Sequence, residues 1–184
     1  DGTDITGLDP ARVARLGIAR SFQISATFGD MSLLDNVCIA LQRTQGLSVQ
    51  FWRPLSSLNR LRPRAMELLD HVGLAAMADR RAADLSYGRK RALEIATTLA
   101  LEPRVLLLDE PLAGMGQEDV AAMAALIASV ARDCAVLMVE HNIKVVADIG
   151  QDITVLQRGE ILARGDYAQI STDPRVREAY MGVE

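Results

Sequence analysis

With 184 residues, 49% of them hydrophobic, the chain can bury one substantial core and is close to the length of one ordinary domain. A formal net charge of -4 gives no overall basic field for nucleic acid, and no stretch approaches the roughly eighteen uninterrupted apolar residues of a membrane span. Cys38 and Cys134 stand far apart without metal-type spacing, which fits reduced thiols in a cytosolic compartment rather than a disulfide or a ligand pair.

Asp9-Pro10 offers a cap followed by proline at the first helical position, and Gly17 a stop, so a short helix is expected over 10–16. Ile18 to Gln23 reads as extended. Ser32 and Asp35 resemble a capping box opening a helix to about Thr44, with Leu33, Leu34, Val37, Ile39 and Leu41 on its apolar side. Gly46 to Leu61, with Trp52, has no clean period and reads as a loop or weak helix. Pro63 to Val72 is helical again through Met66, Leu69 and Val72, and His71 on it reads as a surface or capping residue.

After a tight turn at Leu85-Ser86-Tyr87-Gly88, Arg89 to Leu101 reads as a helix with Leu93, Ala96, Leu99 and Ala100 toward a core. Free N–H groups at its start make an anion site, and Gly88 would let a phosphate approach the main chain. A Ser-x-Gly cap is also common without any ligand, and Arg89-Lys90-Arg91 can be simple solvated charge.

Val105 to Leu108 has no polar alternation, so it reads as a strand covered on both faces within a parallel sheet, ending in the adjacent carboxylates Asp109 and Glu110. Ligands of such sheets bind beyond that edge, and on an extended segment the two side chains point opposite ways. One carboxylate could then hold a metal ion while the other activates a water. The plainer alternative is a polar cap on a strand end. Gln117 to Arg132 is an amphipathic helix, and Ala135 to Val139 another continuously apolar strand. A strand, a helix and a strand in that order make the two strands parallel, which would bring Glu140-His141 beside Asp109-Glu110. The plainer alternative makes His141 no more than the first residue before a helix over 142–149. Ile153 to Leu156, Arg158-Gly159 and Glu160 to Ala163 read as a closing hairpin, and Asp173-Pro174 opens a last helix ending near Gly182.

The ordered set of Gln23, Leu85-Ser86-Tyr87-Gly88, Val105 to Glu110, Ala113-Gly114-Met115-Gly116 and His141 resembles the ATP-binding subunit of an ABC transporter. Within that family it is most similar to the importers of branched-chain amino acids, through Ile18-Ala19-Arg20-Ser21-Phe22-Gln23, Tyr87, Leu93-Glu94-Ile95-Ala96 and Val176 to Gly182. The resemblance implies an α/β fold of the P-loop NTPase type, a mostly parallel sheet flanked by helices. It also implies a remnant of the N-terminal core over 1–23, a helical signature subdomain over 24–98 and a RecA-like core over 99–184.

By the same matching, Glu110 is the general base and His141 the switch histidine. Ser86, Gly88 and Arg89 contact the γ-phosphate across a head-to-tail dimer, Asp109 is the Mg2+ carboxylate, and Gln23 senses the metal and meets the membrane subunits. ATP and Mg2+ are the implied cofactors. The implied partners are a second ATP-binding subunit, two transmembrane permeases and, indirectly, a periplasmic or extracellular solute-binding protein, with no nucleic acid. The implied location is peripheral, on the cytoplasmic face of the inner membrane. The segment from Gln23 to Met31, with Phe28 and Met31 exposed, would receive a coupling helix.

Arg89 stands where a glutamine is usual and Gly116 where many members carry aspartate, which bears on γ-phosphate contacts and on communication between paired sites. The larger departure is that Gly-x-x-x-x-Gly-Lys-Ser/Thr occurs nowhere. The opening Asp1-Gly2 to Ile5-Thr6, without an initiating Met, reads as following that loop, so the N-terminal portion is expected to be missing and the chain alone to bind ATP poorly. Two other readings remain at this point: a non-transport ABC ATPase of repair or translation, and a non-catalytic fragment.

Overall fold

A computed structural model describes residues 2–21, 27–46 and 55–181, apart from the side chains of 55–57, Tyr180 and Met181. The chain divides into two compact units, Asp1–Val139 and Glu140–Glu184.

The first unit opens with α1 (Pro10–Arg15), where the Asp9 carboxylate accepts the Ala11 N–H at 2.8 Å, and continues into β1 (Ile18–Arg20). In α2 (Leu33–Thr44) the Ser32 hydroxyl accepts the Asp35 N–H at 3.0 Å and donates to the Asp35 carboxylate at 2.7 Å. Only half of the expected reciprocal cap forms, because aspartate is a methylene shorter than the glutamate that normally reaches back to the cap N–H. A 3-10 turn (Leu55–Leu61) leads into α3 (Arg62–His71), while 47–54, including Trp52, lies outside the described residues. α4 spans Tyr87–Leu99, starting two residues before the expected Arg89.

Helices α2, α3 and α4 pack on one another through fully buried Leu33, Val37, Leu41, Leu69, Leu93 and Ala96. Burying each such leucine contributes about 1.5–3 kcal/mol, well above any difference in helix propensity between these residues. His71, at the end of α3, is exposed and lies 3.1 Å from the Ser129 hydroxyl of α5 (Gln117–Val130).

Strands β2 (Val105–Asp109) and β3 (Ala135–Val139) complete a three-stranded parallel sheet in the order β1-β2-β3. Register places Asp109 opposite Val139, so both strands end at the same rim. The two neighbouring strands differ in cover. β3 is as apolar as β2, yet Leu137 is 63% and Val139 58% exposed, whereas Leu106 and Leu108 of β2 are buried. A run without polar alternation states that both faces tolerate burial; in this chain only one face of β3 is covered.

The second unit contains α6 (Ile143–Ile149), the antiparallel hairpin β4 (Ile153–Gln157) and β5 (Glu160–Gly165), then α7 (Tyr167–Thr172) and α8 (Pro174–Met181). Arg158-Gly159 make the hairpin turn, both at positive φ. The unexpected element is α7, whose Asp166 and Gln169 form a complete capping box with hydrogen bonds of 2.8 and 3.2 Å. Val155, Ile170 and Val176 form this unit's buried cluster.

Candidate functional site

β2 delivers Asp109 and Glu110 to the rim because Leu106 and Leu108 anchor its buried face. The two carboxylates do not diverge by strand pleat, as expected from an extended segment. The strand stops at Asp109, and Glu110 takes a left-handed conformation with φ 45°. A non-glycine residue there costs on the order of 1 kcal/mol and persists only where its surroundings over-determine it. Here they do: the Glu110 N–H donates to the Val139 carbonyl at 2.9 Å, and the Glu110 carbonyl accepts from the Ala113 N–H at 3.1 Å. The half-buried Glu110 therefore leaves the extended conformation directly after Asp109.

Asp109 has a partner the sequence did not disclose. Arg20, the last residue of β1, donates from Nη2 to Asp109 Oδ2 at 2.8 Å. Among the described residues no group of three or more His, Cys, Asp or Glu gathers to hold a metal ion. A divalent ion at this rim would therefore need oxygen donors from its ligand as well as Asp109, the mixed set that Mg2+ accepts with phosphates.

At the start of α4, Ser86 is the N-cap residue, exposed, and its side chain makes no capping hydrogen bond. The hydroxyl is thus not bonded to the helix's own first N–H groups, and Arg89 in the first turn is exposed. Gly88 is buried, and a Cβ there would lie 2.7 Å from Asp119 Cγ of α5. Close packing of the two helix starts is a second reason for glycine, beyond access for a phosphate.

The basic run is not wholly solvated. Arg91 donates to Glu94 at 2.8 Å and to the Tyr87 hydroxyl at 2.9 Å, and lies 5.3 Å from the Tyr87 ring centroid. Partial burial opposes its charge, but these hydrogen bonds prevail and hold its pKa above the ordinary arginine value. The Glu94 side chain is only 7% exposed, so this pair compensates a buried carboxylate. The Tyr87 ring in turn lies against Gly114, which has φ 77°, while Gly116 is the N-cap of α5.

Gln23 lies outside the described residues, as do Phe22 and Gly182. From Phe28 onward the chain is well anchored. Asn36, 3% exposed, accepts the Phe28 N–H at 2.7 Å and donates to the Phe28 and Ser32 carbonyls at 3.1 and 2.8 Å. Backbone bonds from Ala82 to Met31 and from Ala83 to Gly29 tie this segment to the approach to Leu85-Ser86. Phe28 and Met31 are exposed, 54% and 36%, as the sequence implied. Nearby in the first unit, a cavity of about 400 Å³ is lined by Leu34, Arg62, Met66, Met77, Asp79 and Arg80 among others.

In the second unit the Glu140 side chain, 1% exposed, accepts the His141 and Asn142 N–H groups at 3.2 and 3.4 Å, immediately ahead of α6. The His141 side chain is 71% exposed, with Nδ1 4.0 Å from the Glu140 carboxylate. Both residues line a cavity of about 150 Å³ with otherwise mostly apolar walls. Cys38 is buried and Cys134 half-buried, both free, and burial raises both thiol pKa values.

Residues 1–113 match the family model described as ABC transporter, and residues 160–184 match that of the branched-chain amino acid ATP-binding cassette transporter. The chain is 37% identical to the high-affinity branched-chain amino acid transport ATP-binding protein BraF of Pseudomonas aeruginosa, over 99% of this chain and 74% of that one. It is 33% identical to LivG of Escherichia coli K12, a protein of the same description, over 97% and 72%. It is 36% identical to the lipopolysaccharide export system ATP-binding protein LptB of Acidithiobacillus ferridurans, over 97% and 70%. Among solved structures, the ADP conformation of MJ1267, an ATP-binding cassette of an ABC transporter, superposes with a TM-score of 0.78 at 26% identity, covering 98% of this chain and 74% of that one.

Proposed function

Because this chain belongs to the ABC transporter ATP-binding family, we propose that it serves an importer of branched-chain amino acids or a related small solute, with Asp109, Glu110 and His141 at the hydrolytic centre. The observation that carries this reading is the rim of β2 and β3, where Asp109 and Glu110 follow a buried strand and Asp109 lies opposite Val139. The match of residues 160–184 favours the branched-chain branch over export, since the relative LptB is nearly as similar over the whole chain.

In this mechanism the chain works by position and charge rather than by a covalent step. Glu110, held at the strand end in a left-handed backbone conformation, takes a proton from the attacking water. Mg2+, when bound, neutralises charge on the phosphate oxygens, and Asp109 with Gln23 would hold it. Ser86, the N–H groups beside Gly88, and Arg89 in place of glutamine would stabilise the γ-phosphate of the facing subunit in a head-to-tail dimer. His141 would complete the site as the switch residue. The division into 1–23, 24–98 and 99–184 follows the same family matching. The exposed Phe28 and Met31, on a segment pinned by Asn36, suit contact with a membrane permease, and a solute-binding protein would act through two such permeases. Among the described residues no helix is long and apolar enough to cross a membrane, consistent with a peripheral subunit, which we place on the cytoplasmic face. The short interval between Gln23 and Ser86 argues against a repair ATPase.

The phosphate loop Gly-x-x-x-x-Gly-Lys-Ser/Thr is absent from these residues. The 184-residue chain alone should therefore show little or no ATP turnover. Fused to the portion of BraF outside the match, if that portion supplies such a loop, it should hydrolyse ATP with Mg2+, and Glu110→Gln should slow this at least about a hundredfold while ATP-dependent dimerisation survives. Unchanged turnover in Glu110→Gln removes that residue from the mechanism, and vigorous turnover by the unfused chain refutes the account of the loop.

A further inference from the structure

Arg20 and Asp109 lie 89 residues apart in sequence and meet only because β1 and β2 run parallel with Arg20 opposite Leu107. The Ser21 N–H donates to the Leu107 carbonyl at 3.0 Å, which carries the pairing one residue past the strand. That register sets the base of the Arg20 side chain two residues short of Asp109, within reach of its carboxylate. Among the described residues Arg20 is the only side chain bonded to Asp109, and Arg20 makes no other side-chain hydrogen bond.

We propose that Arg20 is a positioning residue whose guanidinium occupies the Asp109 carboxylate in the absence of a divalent cation and must withdraw before one can bind there. The inference rests on the reading of Asp109 as a metal carboxylate. Charge sets the two occupants against each other: with Arg20 Nη2 on Oδ2, a divalent cation on either carboxylate oxygen lies at ion-pair distance from the guanidinium and is repelled by it. Arg20 is 59% and Asp109 31% exposed at the side chain, and so open an ion pair is held loosely enough to exchange. A displaced guanidinium is itself a ready partner for phosphate oxygens. Arg20 therefore weakens capture of a bare cation, and ties cation binding at Asp109 to the arrival of an anionic ligand that accepts the freed arginine.

The test uses the 15N-labelled 184-residue chain titrated with Mn2+ alone, read as paramagnetic broadening of the Leu108, Asp109 and Glu110 amide signals, which reports even weak occupancy. Arg20→Gln should lower the Mn2+ concentration for half-broadening by about three- to tenfold. Arg20→Lys keeps a cation within reach and should stay within about twofold of the parent. Asp109→Asn in the Arg20→Gln background should abolish the local broadening. Equal midpoints for Arg20→Gln and the parent, with broadening still dependent on Asp109, overturn the role of Arg20 alone. Broadening that survives Asp109→Asn overturns the metal reading of Asp109, and no local broadening in any variant overturns both. Unchanged amide positions elsewhere in the first unit show that the variants remain folded.

Discussion

At the scale of single residues, Gly88 separates two physical demands. A side chain there meets Asp119 at 2.7 Å, a distance real Cβ atoms do not show, so something must shift. Asp119 is exposed and can turn aside, which limits the cost of Gly88→Ala to about 1 kcal/mol in chemical denaturation. Asp119→Ala added to Gly88→Ala should restore most of that stability. If Gly88 also admits a phosphate, the double variant regains stability but not turnover in a chain bearing a phosphate loop; recovery of both would assign Gly88 to packing alone. Gly88 was legible in the sequence as a candidate, but only for one of its reasons, because Asp119 reaches it through the packing of α4 on α5. Glu110 is similar. Its identity and place after an apolar run were readable, but its φ of 45° was not, since that depends on the carbonyl of Val139.

At the scale of elements, caps and periods marked most boundaries. α2 occupies the expected Leu33–Thr44, and β2 and β3 pair in parallel as their intervening helix required. The element missed, α7, carries Asp166 and Gln169 at capping-box spacing, so its signal was present but masked by the lack of a long apolar period in six residues. β3 carries the prediction at this scale. It lies at one edge of the described sheet with Leu137 and Val139 exposed, and such an edge promotes association with other chains. The 184-residue chain should self-associate with rising concentration in light scattering, and Leu137→Thr with Val139→Thr should raise the monomer fraction at least severalfold while preserving strand propensity. Association unaffected by the pair would place its cause elsewhere.

At the scale of the whole molecule, the two units carry unequal cores. The first buries Leu33, Leu41, Leu69, Leu93, Leu106 and Leu108 completely or nearly so, whereas the second is built around Val155, Ile170 and Val176. A unit as short as Glu140–Glu184 buries too little apolar surface for high stability of its own. Amide hydrogen exchange should therefore show β4 and β5 opening at a free energy at least about 2 kcal/mol below that of β2. Equal protection in the two units would contradict this.

The sequence by itself determined the order and type of nearly all elements, the family, and the candidacy of Asp109, Glu110, Ser86, Gly88 and His141, because caps, apolar periods and motif spacing are properties of neighbours along the chain. Only the tertiary structure decided that Arg20 holds Asp109, that Asp119 crowds Gly88, that Arg91 and Glu94 pair out of contact with most solvent, and that β3 leaves one face open. The Arg20 and Asp119 contacts join residues from different elements, and what covers β3 likewise depends on the rest of the fold. Their existence depends on strand register and helix packing, which no local pattern encodes. The Arg91–Glu94 pair is local, but its burial is not.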